Sequence, residues 1–273
     1  MWAAVALLGA AGLAATVITR FTAEPHPSSE SAAEPPVDAV RWALFAELQP
    51  VTVRNCEMQR FGETHDGGYL LCGNLLARVA AGYSYGISGY DGWGCDVATR
   101  LQVPVYRYDC FDTRQPACAA DTTMHPECIG ASPSVIEGRP FDTLERQIAT
   151  TGHARSRVVV KIDVEGAEWD VFLGASNRVL ERIDQMAVEF HLVNDPKYVD
   201  AIRRLKQFFY VANFHINNHS CQSGLGPFPA WAYEVLFVAK RLAEVDPSAP
   251  PRAPFHPLDA PNTLAVPDCQ PTP

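Results

Sequence analysis

Residues 158–172, with the sequence VVVKIDVEGAEWDVF, place the strongest constraint on the fold. The run VVVKI at 158–162 is rich in β-branched side chains, which predicts a strand that is buried on both faces. Three carboxylates, Asp163, Glu165 and Glu168, follow before apolar residues resume. A buried strand that passes through a polar turn into a helix is typical of a parallel α/β sheet.

The rest of the chain alternates in the same way between short apolar runs and segments with apolar residues at helical spacing. Strands are predicted at 68–72, 82–88, 103–109, 157–163, 185–191, 210–215 and 233–240. Helices are predicted at 36–48, 91–101, 141–150, 168–183 and 196–209. Asp142 is the expected N-cap of the third helix, with Glu145 completing a capping box. The predicted fold is α/β, a doubly wound and mostly parallel sheet with helices on both faces.

The N-terminal segment predicts entry into the secretory pathway. No charged side chain precedes Arg20, and residues 2–19 would span roughly 27 Å as a helix, near the lower limit for crossing a bilayer. We therefore interpret residues 1–20 as a signal anchor or a cleaved signal peptide. The remaining segments are a Pro/Ser/Ala-rich stalk at 21–36, a folded domain at 37–241 and a Pro-rich tail at 242–273. The protein is expected to be either anchored in the membrane by one span or secreted.

The number of cysteines agrees with that location, and the net charge bears on the possible partners. An even number of cysteines, eight in this chain, favours disulfides behind a secretory signal, although their spacing does not give the connectivity. No cysteine pair has the spacing of a structural zinc site. The formal net charge of −9 and the lack of a basic cluster argue against nucleic acid as a partner.

Glycine or polar residues stand at the ends of five predicted strands. They are, in chain order, Gly86 with Ser88, Asp109, Asp163, Glu189 with His191, and His215 with Asn217 and Asn218. The carboxyl ends of parallel strands lie along one rim of the sheet, where α/β proteins bind ligands, so we expect these groups to converge. A glycine turn followed about twenty residues later by an acid favours a nucleotide-type cofactor, whose ribose the acid would bind.

The segment VVVKIDVEGAEWDVF closely resembles the motif of FkbM-type S-adenosylmethionine-dependent methyltransferases and of related animal methyltransferase-like proteins of the secretory pathway. The segments YSYGISGYDGWGCDVA, VYRYD, AVEFHL and YEVLFV follow the family's order, so the resemblance covers about residues 50–240. It implies the class I methyltransferase fold, with a Rossmann-like sheet, and S-adenosyl-L-methionine as the cofactor.

The resemblance also implies roles for individual residues. Cofactor binding is implied for Gly86, Ser88, Asp109 and Asp163. Catalysis is implied for Asp163, Glu189 and His191, and substrate binding for Glu165, His215, Asn217 and Asn218. A disulfide is implied between Cys56 and Cys72. The sequence departs from the pattern at Tyr85 and Ser88, where many methyltransferases carry glycine.

Two further residues of the motif are interpreted as structural. Glu168 falls in the first turn of the predicted helix, where an acid favours the positive end of the helix dipole. Trp169 is expected to pack on the buried face of the same helix.

These roles predict transfer of a methyl group to an oxygen acceptor, a sugar or another hydroxyl, on a small molecule, glycan or protein. His191, or His215 paired with an acid, is suited to remove the acceptor's proton. No metal ligand is assigned, although Asp163, Glu189 and Asn217 offer oxygen atoms to a hard divalent ion. The alternative is a domain of this fold that has lost catalysis and serves as a binding or scaffold module.

Overall fold

A seven-stranded sheet organises the part of the chain that the computed structural model describes, residues 35–246 and 256–269. The predicted signal segment at 1–20 lies outside the described residues, as does most of the predicted stalk. Within the two described ranges, every helix is too short or too polar to traverse a bilayer.

The described residues contain twelve strands and six α-helices. The strands are β1 (Met58–Gly62), β2 (Gly68–Cys72), β3 (Ala81–Tyr85), β4 (Val105–Tyr108), β5 (Thr122–His125), β6 (Cys128–Ile129), β7 (Ser134–Ile136), β8 (Arg139–Asp142), β9 (Val158–Ile162), β10 (Ile183–His191), β11 (Phe209–Ile216) and β12 (Ala232–Ala239). The helices are α1 (Val37–Glu47), α2 (Gly92–Leu101), α3 (Leu144–Thr150), α4 (Glu168–Gly174), α5 (Asn177–Leu180) and α6 (Pro196–Leu205).

The central sheet has the strand order β5–β4–β3–β9–β10–β12–β11. Neighbouring strands from β5 to β10 are parallel, whereas β12 is antiparallel to both β10 and β11. The predicted α/β fold with a mostly parallel sheet is therefore confirmed. Tyr85, Tyr108 and Ile162 lie side by side at the ends of β3, β4 and β9. Strand order reverses between β3 and β9, so the ligand-binding rim expected for an open α/β sheet lies at these three ends.

Both faces of the sheet are covered, as the apolar character of its strands requires. One face packs against α1 and α3 to α6, and the other against α2 and the hairpin of β1 and β2. Within β9, Val158, Val160 and Ile162 point to the first face and Val159 to the second. Burying each of these side chains contributes about 1.5–3 kcal/mol. The packing explains why this segment reads as a continuous apolar run.

Two predicted helix boundaries were wrong. Thr143 rather than Asp142 is the N-cap of α3, because its hydroxyl accepts the Arg146 N–H, while Asp142 ends β8 and pairs with the Arg146 side chain. The helix predicted at 168–183 is two helices, since Ala175 is extended and Ser176 caps α5.

Four disulfides join all eight cysteines. The bonds are Cys56–Cys72, Cys95–Cys118, Cys110–Cys128 and Cys221–Cys269. The first holds the β1–β2 hairpin, which Gln185 also fixes to the sheet by bonding both the N–H and the C=O of Cys72. The last holds the C-terminal segment 256–269 against the turn that follows β11. Disulfides of this number are consistent with an oxidising, secretory or extracellular environment.

Candidate functional site

Gly86 is the point at which the ends of three central strands meet. Its φ is +71°, and a Cβ at this position would lie 1.5 Å from the carbonyl oxygen of Asp163. Its N–H donates to Tyr108 O at 3.0 Å, and the Asp163 N–H donates to Tyr85 O at 3.2 Å. Only glycine combines this conformation with so close an approach. The ends of β3, β4 and β9 are therefore drawn together without an intervening side chain.

Asp109 fixes the loops on both sides of this point. One of its oxygens accepts the N–H groups of Ile87 and Ser88 at 3.1 and 2.9 Å, and the other those of Phe111 and Asp112 at 2.8 and 3.0 Å. Four donors occupy the acceptor positions of one carboxylate. A ribose contact by Asp109 stays a prediction, and it would compete with these bonds. The structural function of Asp109 was not expected from the sequence.

A buried ion pair beneath the Gly86 loop was also missed. The Arg107 Nε donates to Asp91 at 2.8 Å, and both side chains are shielded from water. Asp91 also caps α2 by accepting the Gly94 N–H and takes a third bond from the Ser84 hydroxyl. A buried charge is tolerated when it is paired and bonded in this way. The available sequence signal was an arginine within the apolar run of β4.

A cavity of about 240 Å³ opens at the rim beside Gly86. All four predicted cofactor residues border it: Gly86, Ser88, Asp109 and Asp163. Glu165, predicted to bind substrate, borders it as well, and an apolar portion of its wall is formed by Tyr108, Phe111, Ile129 and Phe141. The structure thus brings these five predicted residues into one pocket. Its combination of apolar wall and few polar groups is typical of small-molecule sites.

Three residues predicted to be catalytic form a cluster next to the cavity. The His191 Nε2 lies 3.9 Å from an oxygen of Asp163 and 3.9 Å from an oxygen of Glu189. Glu165 approaches the same nitrogen at 3.4 Å. His191 and Glu189 are buried, whereas the Glu165 side chain is largely exposed. Asp163 and Glu165 therefore belong both to the cavity and to the cluster.

Two members of the cluster, Tyr69 and Lys161, were not predicted from the sequence. The Tyr69 hydroxyl, carried by β2, lies 3.3 Å from oxygens of both Asp163 and Glu189. The Lys161 ammonium donates to Asp163 at 3.2 Å and to the carbonyl of Gly86 at 2.7 Å. A lone lysine in the apolar run of β9 was a signal for a buried charged partner, whereas nothing in sequence placed β2 over the rim.

Glu168 does more than complement a helix dipole. It is fully buried, and its oxygens accept the N–H groups of Val164 and Gly166 at 2.8 and 2.9 Å. It also pairs with the Nδ1 of His191 at 3.0 Å. Glu168 therefore shapes the turn after β9 and orients the imidazole of His191. Trp169 is buried in the core, as expected, and its indole N–H donates to the His191 carbonyl.

Two pKa shifts decide which group can accept a proton. Burial disfavours the charged form of His191, but its bond to Glu168 and the nearby carboxylates outweigh this and raise its pKa to about 9. Burial, reinforced by the charges of Asp163 and Glu234, raises the pKa of Glu189 well above its ordinary value. The raised pKa favours the protonated imidazole of His191, and its action as a base stays a prediction. The shift of Glu189 makes its carboxyl a weaker acid, and its carboxylate a stronger base, than those of an ordinary glutamate.

The shift of His191 predicts a pH-dependent stability. The raised pKa means that the folded state binds the proton more tightly than the unfolded chain. The stabilisation, about 3 kcal/mol, is complete below about pH 6.5 and is lost as pH rises through about 9. Urea unfolding at a series of pH values measures this loss. His191→Gln should show a shallower decline, since His215, whose pKa is also raised, remains as background. If the unfolding free energy of His191→Gln declines with pH as steeply as that of the wild type, the raised pKa does not belong to His191.

His215 and Asn218 make other contacts instead of joining this cluster, and their contact with substrate stays a prediction. β12 lies between β10 and β11, so His215 is two strand spacings, roughly 10 Å, from β10. His215 pairs instead with Glu234 at 3.4 Å. The Asn218 side chain holds the C-terminal segment through the carbonyls of Thr263 and Val266.

Asn217 does reach the cluster, although not as a metal ligand. Its NH₂ group donates to Glu189 at 2.6 Å, while its amide oxygen accepts the His219 N–H at 2.8 Å. The oxygen that the sequence analysis offered to a divalent ion is thus already bound. Asn217 instead holds the carboxylate of Glu189 in place.

Three residues around the site have a strained backbone. Ser88, Glu165 and Leu192 are not glycines, yet their φ angles are +45°, +56° and +72°. Such conformations are costly and tend to occur at functional sites. Ser88, one of the two departures from the motif, thus has a backbone conformation that favours glycine.

Comparisons with known proteins agree with the resemblance seen in the sequence. Residues 134–216 match the family model of the methyltransferase FkbM domain, which confirms that resemblance for this segment and supports a methyltransferase. The secretory, animal-type membership stays a prediction. No curated protein matches the chain.

Similar solved structures include two proteins that match with low scores. The fibrillarin pre-rRNA processing protein of Methanococcus jannaschii has 10% identity and a TM-score of 0.35, over 69% of this chain and 84% of that one. TrmN from Thermus thermophilus has 12% identity and a TM-score of 0.27, over 61% of this chain and 47% of that one.

Proposed function

We propose that this protein is an S-adenosylmethionine-dependent methyltransferase that methylates an oxygen acceptor, a sugar or another hydroxyl, in the secretory pathway. The observation that carries the proposal is the sharing of Asp163 and Glu165 between the cavity and the carboxylate–histidine cluster. A cofactor pocket and proton-handling groups are thus contiguous. Methyl transfer to oxygen requires both.

The cavity fits the cofactor by its chemistry. Tyr85 and Tyr108 form part of its wall, and their buried hydroxyls have no hydrogen-bond partner among the described residues. The apolar wall suits an adenine ring, and the carboxylates of Asp163 and Glu165 suit the cofactor's positive groups. When bound, S-adenosylmethionine supplies a methyl group on a sulfonium, which is a good leaving group. Alignment of the acceptor with that methyl group therefore supplies most of the rate enhancement that the protein must provide.

A hydroxyl acceptor has to release one proton as its new C–O bond forms. Glu189 is the group that we assign to accept it, since its raised pKa brings its basicity closer to neutral pH. Asn217 and Tyr69 hold its two oxygens. The charged His191 would stabilise negative charge that develops on the acceptor oxygen.

The acceptor would enter over Leu192 and Trp231. Both side chains are partly exposed, and the Trp231 ring lies 5.9 Å from that of His191. An exposed indole next to the reacting groups favours an acceptor with a flat apolar face, such as a pyranose ring. Because Leu192 and Trp231 are exposed, this proposal includes acceptors that are free and acceptors that are part of a glycan or protein.

A binding measurement tests the cofactor assignment. S-adenosylmethionine or S-adenosylhomocysteine should raise the melting temperature of the full-length protein, since a ligand specific for the native state stabilises it. Calorimetry provides the stoichiometry, expected to be one per chain. Absence of binding by both compounds would refute the proposed cofactor.

Asp163→Asn should lower methyl transfer about 100-fold, in the range found when one charge-stabilising group is removed. The amide preserves the shape of the side chain but loses the charge that faces Lys161 and His191. Turnover is followed as S-adenosylhomocysteine formed with a panel of glycans and glycoproteins. Asp170→Asn is the control, because Asp170 is exposed on α4 and pairs only with Lys197 among the described residues. Equal turnover in both variants would exclude Asp163 from the reaction centre, and cofactor binding without turnover on any acceptor would favour the scaffold alternative.

A further inference from the structure

We propose that Asp163, Glu189 and His191 bind one divalent cation, of which Mn²⁺ is the best match, next to the cofactor cavity. Binding of the ion would release the proton of His191 to solvent, and the ion would take over the task assigned above to Glu189 in the metal-free site, because it would hold the acceptor's oxygen and favour its deprotonated form. The role of the ion in the reaction rests on the proposed function, whereas its binding can be measured without any cofactor.

The three side chains have the spacing of ligands around an ion. One ligand atom from each lies within 4.8 Å of the other two. The His191 Nε2 stands 3.9 Å from Asp163 Oδ1 and 3.9 Å from Glu189 Oε1. Ligands that are about 2.1–2.4 Å from a cation stand roughly 3–4 Å apart around it. The separation is too long for direct hydrogen bonds and fits an ion placed between the three atoms.

The imidazole of His191 is oriented as a metal ligand. Its Nδ1 is bound to the buried Glu168 at 3.0 Å. Its Nε2 faces the buried Glu189 and Asp163 at 3.9 Å and the exposed Glu165 at 3.4 Å. A metal-binding histidine commonly donates its other N–H to a carboxylate in this way, which fixes the tautomer and the ring.

Asp163 is held at one oxygen and open at the other, whereas Glu189 has a donor near each of its oxygens. The Lys161 ammonium donates to Asp163 Oδ2, which leaves Oδ1 towards His191. The single Tyr69 hydroxyl proton can be donated either to Asp163 Oδ2 or to Glu189 Oε2, each 3.3 Å away. Glu189 Oε1 accepts the Asn217 NH₂ at 2.6 Å and lies 3.9 Å from His191. The orientation is fixed before an ion arrives, which lowers the cost of binding it.

The local charge also favours a cation. Four carboxylates, those of Asp163, Glu165, Glu168 and Glu189, lie within 4 Å of the one imidazole. Lys161 neutralises one of them. Carboxylates suit Mg²⁺, Ca²⁺ and Mn²⁺, whereas imidazole suits transition metals. A site with two carboxylates and one imidazole therefore favours Mn²⁺ among these three ions.

Titration of the chelator-treated, full-length protein with MnCl₂ tests the proposal. The paramagnetic signal of free aqueous Mn²⁺ disappears on binding, and we expect one bound ion per chain. Glu189→Gln should lower the affinity at least tenfold, and Asp163→Asn should do the same. Asp170→Asn, a matched change of one carboxylate on α4, should leave the affinity unchanged.

Each result has a definite meaning. No binding of Mn²⁺ to the wild type, which does not depend on any variant folding, would overturn the proposal. So would binding that Glu189→Gln and Asp163→Asn leave unchanged. If the protein binds S-adenosylmethionine but does not bind Mn²⁺, the proposed metal site is wrong and the proposed function still stands. Binding of Mn²⁺ without binding of S-adenosylmethionine would support the metal site and remove the proposed cofactor.

Discussion

Gly86→Ala is expected to lower the free energy of unfolding by about 4 kcal/mol or more and to abolish cofactor binding. A Cβ at this position would lie 1.5 Å from the carbonyl oxygen of Asp163, and that oxygen belongs to backbone that cannot rotate away. The ends of β3 and β9 would have to separate. That movement breaks the bond from the Asp163 N–H to Tyr85 and displaces the wall of the cavity.

Gly138→Ala separates the steric cause from the conformational one. Gly138, in the turn between β7 and β8, has φ of +79°, close to that of Gly86, but a Cβ there would meet nothing within 4 Å. The unfavourable backbone alone should cost about 1 kcal/mol. Chemical denaturation of both variants gives the comparison. If the two variants lose similar free energy of unfolding, the close approach of Gly86 to Asp163 does not contribute to stability.

Reduction of the four disulfides is expected to unfold the protein under conditions in which the oxidised form is stable. The sequence separations are 16, 23, 18 and 48 residues. In the loop-entropy description, closing each loop stabilises the fold by about 3–4 kcal/mol. Together these contributions match or exceed the whole stability of an ordinary domain, about 5–15 kcal/mol.

Circular dichroism before and after treatment with a thiol reductant measures this effect. Near-ultraviolet signals should be lost as the reduced chain unfolds. Replacing the Cys221 and Cys269 pair by serines should cost about 4 kcal/mol and leave the cavity wall intact, whereas replacing Cys110 and Cys128 removes a bond that borders the cavity. If the melting temperature is unchanged after reduction, the noncovalent packing of the sheet is enough to keep the protein folded without its disulfides.

Much of the fold could be predicted because its strands are buried on both faces and read as apolar runs. The central strand β9 and its neighbours β3, β4 and β10 were located in this way. The small sheet of β6, β7 and β8 was missed, since these strands are short and partly exposed and have no regular alternation. Antiparallel β12 was found as a strand, but its place between β10 and β11 depends on pairing that no local pattern records.

The residues of the candidate site fall into the same two groups, those that a local pattern predicts and those that depend on tertiary packing. Gly86, Asp163, Glu189 and His191 could be predicted because each follows or ends a buried strand. His215 met the same criterion and yet lies apart, because convergence at a rim depends on strand order. Tyr69 reaches the cluster from the β1–β2 hairpin, and only tertiary packing brings it there.

The strand order also determines how far the protein can be divided. Residues 134–216, which match the FkbM family model, supply β9, β10 and β11 to the central sheet. β10 and β11 are not neighbours, because β12 lies between them, and β9 would lose β3 along its other edge. An isolated copy of that segment would carry unpaired edges and lack the Gly86 loop. We therefore expect that this segment does not fold on its own, and that a truncated protein needs the chain from β1 to β12 to keep the Gly86 loop and Tyr69 next to β9 and β10.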